Sequence, residues 1–159
     1  MAFATALAAA PPAHAASITA TVKAKVIKPL SLKSISNFDL GTIILSQGTW
    51  SGAVVRLTRT GTFTCPAQAT CTGARTVAGY NISGSNGERA IIRAPNVILT
   101  NQANASKKLT LVPDAPASVT FTNSGSKGID FPVGGSITID STTAGGTYVG
   151  TFNVTAEYQ

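Results

Sequence analysis

The chain has 159 residues, 43% of them apolar, with 12 Lys or Arg against 6 Asp or Glu and a single His. That length suits one domain with an ordinary core, and a charged share of 11% is less than half the ~25% of an average soluble domain, so charge-based chemistry is scarce. The 22 Thr, 14 Ser, 15 Gly and 8 Pro favour short strands and turns over helices and argue against disorder, which makes all-β the expected class.

Residues 1–15 read MAFATALAAAPPAHA, a short apolar stretch closing on the small-x-small site Ala13-His14-Ala15, the ending of a secretory signal. Cleavage after Ala15 is expected, with export across the inner membrane. The stretch is too short to span a bilayer, and no later segment carries 18 apolar residues in a row, so no transmembrane segment is expected. Removal of His14 takes away the only histidine. General acid–base work at neutral pH most often uses that side chain, and a nucleophilic Ser or Cys usually needs an adjacent base.

From residue 16 the chain alternates. Ile18, Ala20, Val22, Ala24 and Val26 share one face of an extended segment, with Thr19, Thr21, Lys23 and Lys25 on the other. Lys28 and Lys33 continue the basic run, which reads as a set of solvent-facing charges that keep an apolar strand soluble. Further strands are expected at 42–45, 53–58, 76–83, 89–94, 96–100, 108–112, 118–122, 136–140 and 147–158, parted by turn residues every 8–12 positions. Asn86-Gly87 predicts a type I′ hairpin between the strands at Tyr80-Asn81-Ile82 and Ala90-Ile91-Ile92. Antiparallel strands at this spacing, with no helical period between them, predict a single immunoglobulin-like antiparallel β-sandwich.

Cys65 and Cys71 bracket Pro-Ala-Gln-Ala-Thr, and in an exported chain they predict one disulfide closing a small loop. The wide spacing is unlike a redox CxxC pair. Asp39, Glu88, Asp114, Asp130, Asp140 and Glu157 are scattered without a motif, and no metal-ligand spacing occurs, so neither catalytic residues, nor a metal, nor a cofactor is expected. The sequons at Asn81, Asn104 and Asn153 read as incidental in so Thr-rich a chain. Few aromatics and no recognised module oppose a nucleic-acid partner.

At the far end Gly146, Tyr148, Gly150, Phe152, Val154, Ala156 and Tyr158 fall at period two, which predicts one long amphipathic strand. Counted from Gln159, Tyr158 is second and Gly146 fourteenth, and this spacing resembles the C-terminal motif of chaperone–usher pilins. The segment SITATVKAKVIKPLSL at 17–32 is similar to the mature N-terminus of the alternate, colonisation-factor-type major pilins, and AGGTYVGTFNVTAEY at 144–158 resembles their final strand. With FPVGGSITI at 131–139, the chain over roughly 17–159 also resembles a bacterial secreted family known only as a domain of unknown function.

The pilin resemblance implies residues 16–28 as a donor strand, with Ile18, Ala20, Val22, Ala24 and Val26 as its groove-filling side chains, and 29–159 as an immunoglobulin-like pilin domain. It implies Gly146, Tyr148, Gly150, Phe152, Val154 and Tyr158 as the strand that meets an assembly chaperone and then borders the acceptor groove. The partners implied are identical subunits in a head-to-tail polymer, a periplasmic chaperone and an outer-membrane usher. The implied location is a surface fibre reached through the periplasm, with a glycan or host receptor as a further partner. A second functional class is a carbohydrate-binding adhesive sandwich with a complete fold, in which 18–26 is an internal first strand and Trp50, Tyr80 or Phe63 anchors sugar.

Overall fold

The computed structural model describes residues 16–122 and 127–159; the signal sequence expected over 1–15 lies outside the described residues. The strands are β1 (Ser31–Ser36), β2 (Thr42–Leu45), β3 (Ala53–Leu57), β4 (Phe63–Thr64), β5 (Ala69–Thr72), β6 (Ala78–Ser83), β7 (Arg89–Arg93), β8 (Val97–Asn101), β9 (Lys108–Asp114), β10 (Ser118–Thr120), β11 (Ile129–Ile139), β12 (Tyr148–Val149) and β13 (Thr155–Tyr158). All the ladders between them are antiparallel, and the architecture is the expected all-β sandwich.

The largest sheet runs β1-β6-β11-β9-β8-β12, with β3 on β11 and β4 on β3. The eleven residues of β11 organise it: Ile129–Val133 pair with β6, while the second half pairs with β3 on one side and β9 on the other. Gly134 stands at this handover. A Cβ there would run into the backbone of Leu57, Thr58 and Arg59, so only glycine lets the end of β3 pass. Alternation sets the inward face. In β3, Ala53, Val55 and Leu57 are buried while Val54 and Arg56 are exposed, and in β11, Phe131, Val133, Ile137 and Ile139 turn inward.

The opposing layer has two separate parts, a three-stranded sheet β10-β7-β13 and a ribbon of β2 with β5. Two core clusters follow. One gathers Ala78, Ile82, Ala90, Ile92, Val119, Phe121, Phe131 and Val133; the other gathers Leu40, Ala53, Val55, Leu57, Val97, Leu111, Ile137 and Ile139. Phe38 and Phe152 pack against both, edge to face at 5.7 Å between ring centres. The Cys65–Cys71 disulfide is formed, with the two Cα atoms 6.0 Å apart, and it braces the entry into β5.

Two expectations about elements are corrected. Asn86-Gly87 makes no hairpin ladder, because β6 pairs with β1 and β11 whereas β7 pairs with β10 and β13. The turn is closed by the Glu88 amide on the Ser85 carbonyl at 3.2 Å, and only Gly87, at φ +78°, is left-handed, so type I′ geometry is absent. The chain crosses there from one layer to the other, because Tyr80 and Ile82 must face Ala90 and Ile92 across the core. The expected long strand over 147–158 is divided into β12, on β8 of the large sheet, and β13, on β7 of the small one.

Candidate functional site: an open apolar groove and an exposed extension

Where the covering layer is incomplete, a groove of about 1040 Å³ runs over the inner face of the large sheet. Beneath it lie Val97 and Leu99 of β8, Leu109 and Leu111 of β9, and Ile137 and Ile139 of β11; Val97, Leu111, Ile137 and Ile139 are buried in the core cluster described above, and Leu99 and Leu109 are half-buried. One wall is residues 34–45 and the other is residues 143–152, so each wall is as long as a strand. Asp39 is the single charged residue of the lining, and the groove therefore presents apolar surface and backbone rather than ionic chemistry. At the upper edge of the volume range of small-molecule pockets, it has the shape of a trench.

The C-terminal wall contains Gly146, Tyr148, Gly150 and Phe152 of the residues singled out by spacing, whereas Val154 and Tyr158 lie outside the groove, packed against the other core cluster. Gly146, at φ +138°, would carry a Cβ 2.5 Å from the Asn101 side-chain amide. Asn101 is 2% exposed; its Nδ2 donates to the Gly145 carbonyl, and its Oδ1 accepts from the Ala103 and Asn104 amides. Gly146 thus makes room for the side chain that ties the loop after β8 to the start of β12. Gly150 lies so close to β8 that a Cβ would meet the Ile98 carbonyl at 2.7 Å. The Tyr148 hydroxyl donates to the Ala144 carbonyl at 2.8 Å.

From Thr151 onward burial alternates, with Phe152, Val154, Ala156 and Tyr158 half-buried and the residues between them exposed. Among the described residues β12 pairs only with β8 and β13 only with β7, so both are edge strands, and β1 is an edge strand on β6. At the groove's end Asp140 organises the turn into the C-terminal wall. The Thr142 hydroxyl and amide donate to this carboxylate and, with a lesser contribution from Thr143, hold its pKa below the usual range against the opposing effect of burial.

The residues expected as a donor strand lie in no strand and no core. Residues 16–29 are exposed throughout, and Ile18, Val22 and Val26 are 97%, 90% and 92% exposed, values seldom met for large apolar side chains in a folded chain. Ala20 and Ala24 are exposed with them. The extension is tied to the domain at Lys28, whose amide donates to Ser85 Oγ at 2.6 Å and whose carbonyl accepts from the Tyr158 hydroxyl at 2.7 Å. That hydroxyl accepts in turn from the Ser85 amide at 2.8 Å. Further out, Lys25 Nζ lies 2.7 Å from Glu88 Oε1. The meeting of Tyr158, Ser85 and Lys28 was not legible in the sequence, since the three lie far apart along it.

The candidate sugar anchors are each half-buried. Trp50 packs on the core and donates to the Ser46 carbonyl, Tyr80 stacks on Phe131 at 5.6 Å, and Phe63 lies under the Arg75 guanidinium at 4.0 Å. Burial raises the Tyr80 hydroxyl pKa above its ordinary value. Asn81, in one sequon, donates to the Lys127 carbonyl and to Asp130. Among the described residues no group of three or more His, Cys, Asp or Glu is placed to hold a metal, and no helix is long and apolar enough to cross a membrane.

A family model described as Domain of unknown function (DUF4402) matches residues 30–158. No curated protein and no solved structure matches the chain.

Proposed function

The chain belongs to the DUF4402 family, whose description carries no biochemistry, and for this member we propose the role of a structural subunit of a bacterial surface fibre, assembled by strand addition. The observation that carries the reading is a pairing of features: a cleft between two strand-length walls lies beside strand edges unpaired among the described residues, and the same chain holds out a segment whose Ile18, Val22 and Val26 side chains are almost fully exposed. An open groove with free edges invites a strand, and an alternating Ile/Ala/Val segment is the strand chemistry that fits it. Nine residues over 18–26 reach roughly 30 Å when extended, the length of a wall.

Ile18, Ala20, Val22, Ala24 and Val26 of one copy enter the groove of the next, while Thr19, Thr21, Lys23 and Lys25 stay in water. Burial of each of the three large side chains contributes roughly 1.5–3 kcal/mol, and the backbone groups of the donor satisfy those left open on the walls. Because the donated surface and the receiving surface differ, the contact is head to tail and does not close on itself, which yields a fibre. Before assembly the unpaired edges are an aggregation hazard, and a periplasmic chaperone strand laid along the wall that contains Gly146–Phe152 meets that need, with an outer-membrane usher as the site of exchange.

Electron microscopy of the purified chain tests the reading. Filaments are expected, and their loss when residues 17–28 are deleted. A monodisperse monomer at high concentration, or undiminished filaments and SDS-resistant ladders from the deleted chain, contradicts it.

A further inference from the structure

An apolar segment tethered to the domain that carries an apolar groove has an easy intramolecular outlet. A tether sets an effective concentration that depends on how well its length and geometry match the span, so the chain's own groove is a competitor of every neighbour's. The outlet is open in principle. Strand β1 has a free edge, the groove wall continues from it over 34–45, and a reversal near Lys28 would lay 18–26 antiparallel to that stretch. Yet the segment stands exposed.

We propose that Tyr158 and Ser85 form a clamp on Lys28 that weighs against insertion of the extension into its own groove and so favours a second copy of the chain. This rests on the strand-addition reading above. Both backbone polar groups of Lys28 are engaged, the amide by Ser85 Oγ and the carbonyl by the Tyr158 hydroxyl, and the Ser85 amide locks that hydroxyl in place. Pro29 follows, with its φ fixed by the ring and no N–H to offer. A reversal must therefore turn the Lys28 peptide groups away from both partners. The Tyr158 ring also rests on Phe121 with centres 6.1 Å apart, a contact that phenylalanine keeps. The Lys25–Glu88 pair lies beyond the clamp, and Lys25 is 74% exposed, so it contributes little. Tyr158 and Ser85 act here as positioning residues.

The test compares the full chain with Tyr158→Phe and with Ser85→Ala, by hydrogen exchange of the 18–26 amides at low and at high micromolar concentration. Each net hydrogen bond is worth about a fivefold factor, so each variant shifts the balance toward self-insertion by several-fold. The full chain is expected to show protection of 18–26 only at high concentration, as copies join. Both variants are expected to gain protection that is independent of concentration, with fewer filaments, while Glu88→Gln behaves like the unaltered chain. If the unaltered chain already shows concentration-independent protection, or if folded Ser85→Ala and Tyr158→Phe keep the unaltered profile, the clamp is wrong while strand addition stands. If no concentration protects 18–26 in the unaltered chain, strand addition fails and the clamp with it.

Discussion

Gly146 shows how a residue read from its spacing acquires a cause. Its left-handed φ and the nearness of Asn101 make it the one position in the C-terminal wall where a methyl group meets both backbone strain and a buried amide. Gly146→Ala is expected to destabilise the fold by roughly 1–3 kcal/mol in urea unfolding, and Asn101→Ala by a similar or larger amount, since it leaves a carbonyl and two amides of the loop without their partner. Because the two residues touch, the double variant should cost clearly less than the sum of the two; strict additivity would mean that Gly146 is not there for Asn101. The glycine and the period-two pattern after it were legible. Its partner was not, because Asn101 is placed by the fold and carries no signal of its own.

Elements with strong alternation, such as β3, β7 and β9, were found close to their expected limits, because one buried face fixes both period and register. Misreadings fell where pairing, and not pattern, decides. Asn86-Gly87 marks a turn correctly, but whether the flanking strands share a ladder depends on which layer each must cover. Residues 147–158 read as one strand by period, whereas their neighbours lie in two sheets. The two-residue β4 is too brief to alternate visibly, and β5, which follows it at the end of the disulfide loop, was not read as a strand. Reduction of Cys65–Cys71 should cost roughly 2 kcal/mol on the loop-entropy account, read as a lower thermal midpoint that re-oxidation restores.

The Asp140 turn adds a pH dependence at the same scale. Its folded pKa lies below the ordinary carboxylate value, so its contribution is complete above that ordinary value and disappears as pH falls through the depressed one. Protection of the turn amides over 140–146 should accordingly fall in acid below the usual carboxylate range, and Asp140→Asn should abolish that step. A step that persists in the variant would place its origin in another group.

Taken as a whole, the molecule keeps its 12 cations and all of its 6 anions but Asp39 away from the groove, and sets basic side chains on the outer face of the extension. Low charge is what strand burial requires: a trench floored by Val, Leu and Ile, and a segment of Ile, Ala and Val to fill it. Length, class and the two unusual ends were legible in the sequence. The groove was not, since it is a property of what the sandwich leaves uncovered between Phe38, Phe152 and the β2–β5 ribbon.

The central claim, that residues 18–26 complete the groove of another copy, is tested most directly by adding a peptide of residues 16–28 to the chain that lacks them and following the thermal midpoint. A saturable rise is expected from the native peptide, with little or none from a Val22→Asp version, and with amide protection appearing along 143–152 and 34–45. An unchanged midpoint at saturating peptide, in a domain shown to be folded, would contradict the account.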